Sequence, residues 1–300
     1  MSIYIKQNSP KNIKLLTAQR HLYQQAKTLQ RWRTIGTVGL AAIAPFVMFV
    51  FPQSKTIMGM AGGLWLLISK LIFEDIEAGK IKTAAIIQEQ FDTILFDLPW
   101  NSAISGNKVE PEIISSAART IKGEKAELEN WYSDTGNIPY PGDVILCQRA
   151  GLVWDWRLRQ YYAWVIGAMT AFLFIFGIVL ALITNQTVID YFLALFLPSL
   201  SALLKGIEIT RKHNKIAGEK LKLEKRILTI WTTFLNDQDS VTKEHCRQIQ
   251  DGIFILRSQG PLVPDKWYEW LKNRYQIDME SAVLELVKEA DAVLDIKKAA

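Results

Sequence analysis

The residues best equipped for catalysis are few and poorly spaced for it. The three histidines, His21, His213 and His245, form no HExxH or other metal-ligand spacing. Cys147 and Cys246 stand far apart with no CxxC pair, which implies neither a disulfide framework nor a zinc or redox site. Gly59, Gly62 and Gly63 lie inside an apolar run, so they do not form a phosphate loop, and no GxSxG elbow occurs. Carboxylates are plentiful, but they sit among lysines on amphipathic stretches, the pattern of a solvated helix face. We therefore expect no catalytic residues, no metal and no cofactor.

Chemistry of another kind lies within the apolar runs. Gly59 and Gly63 form a GxxxG pair, a spacing that lets helices approach closely. Ordinary packing within a hairpin is the favoured reading, ahead of an intersubunit contact. Lys70 and Asp190 are ionisable residues in or near hydrocarbon, where charge is costly. Both sit close to a run's end, so snorkelling to the interface accounts for them first. Pro45 and Pro198 should kink the helices that carry them.

The elements that must position these residues follow from hydropathy. Of 300 residues, 49% are apolar and 22% charged, yet the two populations are segregated along the chain. Four runs read as membrane spans, at about 34–52, 57–73, 161–184 and 188–204. The first has no charge between Arg33 and Lys55, enough at ~1.5 Å per residue to cross a ~30 Å hydrocarbon core. The third is the strongest. The second and fourth are short, near the lower limit of ~17 residues. The connections after the first and third runs are too brief for anything but tight turns, which makes two hairpins.

Charge then sets orientation. The tail before the first run holds Lys6, Lys11, Lys14, Arg20, Lys27, Arg31 and Arg33 with no acid, whereas the two outer turns share only Lys55. The positive-inside bias puts both termini and the middle segment in the cytoplasm, and it accounts for the net charge of +5 without a nucleic-acid polymer. A cleavable signal peptide would place its apolar core much earlier. The resulting organisation is a cytoplasmic amphipathic helix (1–33), a first hairpin (34–73), a helical cytoplasmic segment (74–160), a second hairpin (161–205) and a helical C-terminal region (206–300).

Outside the spans, spacing and breakers predict helices over 10–33, 76–98, 111–132, 143–160, 206–235, 241–257, 264–275 and 279–297. Nothing alternates with period two. The expected fold class is an all-α integral membrane protein with four transmembrane helices as two hairpins plus a helical cytoplasmic domain.

Two cytoplasmic motifs carry a resemblance. Phe91-Asp-Thr-Ile-Leu-Phe-Asp-Leu-Pro-Trp-Asn101 follows the second run, and Ile145-Leu-Cys-Gln-Arg149, then Trp154-Asp155 and Leu158-Arg159, precedes the third. With Gln7-Asn-Ser-Pro10, Leu16-Thr-Ala-Gln-Arg20 and the hydropathy layout, the chain resembles the SMODS-associated four-transmembrane effector family along nearly its whole length. The resemblance implies a pore-forming effector of bacterial antiphage defence in the inner membrane. It also implies control by a cyclic oligonucleotide made by a partner nucleotidyltransferase.

Such a ligand needs cations for phosphate and flat groups for bases. The motif regions offer Trp100, Asn101, Trp131, Tyr132, Arg149, Trp154, Arg157 and Arg159. Each also has a plain structural use. Trp100 and Trp154 can pack helices, Asp155 can pair with Arg159 at i,i+4, and Arg157 can serve the positive-inside bias. Arg149 is the first choice, because it lies well before the membrane entry. Four helices in one protomer enclose little space, so a pore implies a homo-oligomer in the lipid bilayer. A constitutive channel or small transporter and a membrane-anchored enzyme or scaffold are the competing readings.

Overall fold

A computed structural model describes the backbone of residues 2–120, 128–192 and 196–299. Within those stretches, side chains are described except at 41, 44, 45, 48, 49, 52, 55, 56, 190, 198, 201, 272–276 and 294–299. The described residues form eleven α-helices and no strand. They are α1 (Ile3–Lys6), α2 (Pro10–Val50), α3 (Lys55–Ile68), α4 (Glu74–Leu95), α5 (Ser102–Ser105), α6 (Pro111–Thr120), α7 (Gly142–Ile183), α8 (Val188–Tyr191), α9 (Leu197–Asn236), α10 (Lys243–Gln259) and α11 (Asp265–Ala299).

Local chemistry sets the helix ends. Ser9 Oγ accepts a hydrogen bond from the Asn12 N–H at 3.4 Å, and Pro10 occupies the first turn of α2, where its missing N–H costs nothing. At the far end of α4, Asp97 takes a left-handed conformation at φ 52° and turns the chain out of the helix. The Leu98 N–H then reaches the Thr93 carbonyl at 2.9 Å, and Pro99 blocks any continuation. Thr242 caps α10 in a reciprocal box with His245, whose Nδ1 accepts from the Thr242 N–H at 3.1 Å.

Four long helices carry the architecture. The helix α2 runs unbroken through the predicted cytoplasmic helix and the first apolar run. A single π-type turn, Ser69–Phe73, joins α3 to α4 at the predicted end of the second run and contains the exposed Lys70. In the same way α7 and α9 each join a polar segment to an apolar one. α2 packs along α4, and α7 along α9. The polar halves are sewn together by a core of Leu16, Ile87, Phe91, Phe96, Ile145, Leu152, Ile227, Phe234 and Ile249, all at most 1% exposed.

Two helical stretches among the described residues are long and apolar enough to cross a membrane, Ile57–Leu95 and Gly142–Ile183, where sequence predicted four spans. Only 6% of the most apolar window of either is buried, unlike a helix packed in the chain's own core. The remaining two runs include side chains outside the described residues, among them Pro45, Asp190 and Pro198.

The structure bears on three of the expectations. The predicted helices 264–275 and 279–297 are one helix, α11, since no Gly or Pro between Tyr275 and Met279 interrupts it. Pro198 falls in the first turn of α9, which directly follows Phe196, whose backbone is already helical. Among the described residues, a Cβ at Gly59 or Gly63 would meet nothing within 4 Å, while the side chains at 41, 44, 45, 48, 49 and 52 of the facing run lie outside the description. The close approach in that hairpin is at Gly36, directly under the Trp65 ring, whose Nε1 donates to Thr37 Oγ1 at 3.2 Å.

Candidate functional site

Below the first hairpin, the sequence motifs converge on a buried polar network. Glu89 and Asp92, one turn apart on α4, are both 0% exposed. Arg247 of α10 donates to Glu89 Oε1 at 2.6 Å, to Asp251 at 2.8 Å and to the Pro99 carbonyl at 3.1 Å. Gln250 donates to both Glu89 (2.8 Å) and Asp92 (3.0 Å), and Arg257 reaches Asp92 Oδ2 at 2.9 Å. The Tyr132 hydroxyl donates to the other Asp92 oxygen at 2.8 Å. Gln148 Nε2 donates to the Cys246 carbonyl and to Gln250 Oε1. Burial pushes the Glu89 carboxyl above the usual range, and the Asp92 charge adds to it, while Gln250 and Arg247 pull the other way. Burial, with the neighbouring Asp92, raises the Tyr132 phenol further still. The network bonds most of its own polar atoms, leaving Gln148 Oε1 and Arg247 Nε buried without a partner.

Higher up, where the helices leave the apolar runs, lies a cleft of ≈ 910 Å³. Its walls come from α2 (Lys27, Arg31, Arg33), the start of α4 (Glu74, Glu77), α9 (Lys205, Glu208, Lys212, His213, Lys215) and the 255–267 segment. Ion pairs cross its mouth. Arg33 meets Glu74 at 3.2 Å and Glu77 at 3.0 Å, and Lys212 meets Glu208 at 2.6 Å and Glu74 at 3.8 Å. Lys205 adds a pair to Glu208 at 3.3 Å. Burial would raise the Glu208 carboxyl, but Lys212 and Lys205 hold it down at about 2. Burial raises the Glu77 carboxyl, with Arg33 opposing.

A largely buried polar cluster lies behind the Pro261 and His213 side of the cleft. Asp155 accepts from Arg159 at 2.5 Å and from Lys220 at 2.6 Å, and Arg159 also reaches the Pro261 carbonyl at 2.5 Å. His213 is 1% exposed, edge-on to Tyr162, and its Nδ1 has no hydrogen-bond partner. Burial pushes the imidazole down to about 3, with the Arg159 charge adding and Asp155 opposing. Among the described residues no group of His, Cys, Asp and Glu could hold a metal ion. Both cysteines are buried free thiols, and burial raises Cys246 to about 12 and Cys147 well above its ordinary value.

Residues 1–286 match the family described as the SMODS-associating 4TM effector domain. This chain belongs to that family. A relative from Bacillus cereus (strain VD146), which bears the name "Probable CBASS effector molecule", is 29% identical over 277 residues, covering 90% of this chain and 92% of its own. No solved structure matches.

Within this 4TM effector the ligand candidates from sequence fall in separate places. Asn101 donates to Asp251 at 3.0 Å and Tyr132 to Asp92, so these two join the buried network. Trp100 donates to the Gly106 carbonyl at 2.9 Å within its own loop, under Lys108, and Trp131 is exposed nearby in sequence. Arg149 pairs with Glu224 at 3.1 Å, and Trp156 holds the second Glu224 oxygen at 2.8 Å. Trp154 packs on Tyr268 of α11, and Arg157 lies 3.8 Å from Asp278. Arg159 makes the i,i+4 pair with Asp155 and so borders the cleft. The network partners Arg247, Gln250, Asp251 and Arg257 were not anticipated. Their signal was a polar stripe at i, i+3, i+4 and i+10 beside the apolar Ile249, Ile253 and Phe254 of α10.

Proposed function

We propose that this chain is a membrane effector of bacterial antiphage defence, assembling as a homo-oligomer that permeabilises the inner membrane. In this reading four helices cross the bilayer as two hairpins, with both termini and the middle segment cytoplasmic. Control is by a cyclic oligonucleotide from a partner nucleotidyltransferase, and the protein carries out no enzyme chemistry. The observation that carries the reading is the apolar surface. Phe172, Leu182 and Ile183 on α7 and Met60, Leu64 and Leu67 on α3 are all more than half exposed, on helices continuous with a packed cytoplasmic body. Unpartnered surface of that extent belongs against lipid or another copy. The charge asymmetry supports the orientation, and the family and the relative's name support the defence role.

The test is reconstitution in dye-loaded liposomes. Dye release on adding a cyclic oligonucleotide, or release that the nucleotide suppresses, is the expected result. Liposomes that stay sealed with every cyclic di- and trinucleotide both present and absent would overturn the reading.

A further inference from the structure

We propose that the juxtamembrane cleft is a binding site for a ligand bearing phosphodiester groups, and that the ligand competes with Glu74 and Glu77 for the cations at the cleft mouth. Three observations converge. First, the cleft has charge to spare. Arg31, Lys215 and Lys266 line it, and among the described residues none of the three has an acidic partner. Second, its wall holds buried polar atoms with nothing to bond. His213 Nδ1 and Arg33 Nε have no hydrogen-bond partner, in side chains that are 1% and 8% exposed. Buried polar atoms are rarely left so, and both can donate to a phosphate oxygen once the side chains covering them shift, since neither atom is exposed to the cleft. Third, Trp267 supplies a flat apolar wall beside Tyr162, and the volume sits near the top of the ~300–1,000 Å³ range of small-molecule pockets. That is room for a dinucleotide-sized ligand, beyond what one inorganic phosphate needs. A positive-inside bias explains why cations lie at this depth. It does not explain their convergence on a cavity, nor the unpartnered atoms inside.

The position gives binding a consequence. Arg33 is the last charge before the first apolar run, Glu74 follows the π-type turn that ends the second, and Lys205 closes the fourth. Their ion pairs tie α2, α4 and α9 together at the level where all three leave the membrane. A phosphodiester that draws Arg33 and Lys212 to itself releases Glu74 and Glu77 and frees the helix bases to move. The identity of the ligand as a cyclic oligonucleotide rests on the function proposed above. A phospholipid headgroup carries the same phosphodiester chemistry.

Full-length protein in nanodiscs separates these. Binding of a panel of cyclic di- and trinucleotides is measured in phosphatidylcholine discs, and hydrogen–deuterium exchange is followed in phosphatidylcholine and phosphatidylglycerol discs. We expect a nucleotide to bind and to protect segments 205–216 and 255–267. The double variant Lys215→Glu/Lys266→Glu should lose at least about tenfold in affinity, whereas Arg119→Glu, exposed on α6 outside the cleft, should not. Nucleotide binding that ignores the double variant and protects other segments overturns the site while leaving the functional reading intact. Protection of the cleft by phosphatidylglycerol alone, lost in the double variant, keeps the site, assigns it to lipid and removes nucleotide control. No protection of the cleft by either source overturns the proposal.

Discussion

Two buried side chains make the sharpest residue-scale predictions. Arg247 is 4% exposed and answers Glu89, which is 0% exposed, so Arg247→Met strands a carboxylate in the core. Removing one partner of such a pair costs about 3–5 kcal/mol, which should appear as a large fall in Tm for the detergent-solubilised protein. Glu89→Gln keeps an acceptor for Arg247 and should cost much less. His213 makes a pH prediction. Its imidazole is held at about 3 in the folded protein against ~6.5 when unfolded, so the native state keeps it neutral. A depressed pKa contributes stability in full above pH ~6.5, and that contribution is lost as pH falls toward 3. Over that window the slope approaches ~1.4 kcal/mol per pH unit. Carboxylates such as Glu77 and Glu89, pushed upward by burial, act in the opposite sense, so the wild-type curve alone is ambiguous. Comparison with His213→Gln isolates the histidine: the Tm of wild type relative to the variant should fall steadily from pH 6.5 to 5 in a thermal-shift series.

At the scale of elements, most of the helices could be read from apolar runs and breakers. Pro10, Pro99, Pro111, Gly260 and Pro264 each stand where a helix starts or stops. The continuity of α11 was missed because a weakly periodic stretch without Gly or Pro gives no boundary either way. The polar network was not legible for a different reason. Its partners are 158 and 165 residues apart in the case of Glu89 with Arg247 and Asp92 with Arg257, and no local pattern records such a pairing. The motif FDTILFDLPWN was visible as a resemblance, but its physical reason is the network, which anchors α4 to α10 beneath the hairpin. The ion pairs at the cleft mouth act between elements in the same way, and they carry a prediction. The double variant Glu74→Gln/Glu77→Gln leaves Arg33 without its acidic partners and unties α2 from the base of α4. Under the function proposed above, it should release dye from liposomes with no nucleotide added, while retaining the helical content of wild type by circular dichroism. Sealed liposomes would show that these pairs do not hold a closed state.

At the scale of the whole molecule, the glycines distinguish folding from assembly. Under the function proposed above, two hairpins in one protomer enclose little space, so a pore needs several copies meeting through faces the protomer leaves empty. Glycine spacing alone could not show which faces those were, since GxxxG looks the same whether it meets its own hairpin or a neighbour. The packing separates them. Gly36 lies against Trp65, and Gly206 lies against Thr170 of α7, so both are spent inside the chain. Gly59 and Gly63 of α3 meet no described side chain and lie among the exposed Met60, Leu64 and Leu67. Side chains added at the two kinds of site should therefore act differently. Gly36→Leu drives into an indole and should lower the Tm of the monomer in detergent, because overpacking a tight contact costs about 1–3 kcal/mol. Gly59→Leu/Gly63→Leu meets no described side chain in its own protomer and should leave that Tm unchanged. If α3 is the surface through which copies close-pack, the double variant should nonetheless reduce cross-linked oligomers and slow dye release, since small residues are what let helices approach in lipid. Oligomers and release that survive the double variant would move the assembly surface to the exposed face of α7, where Phe172 and Phe176 stack at 6.0 Å.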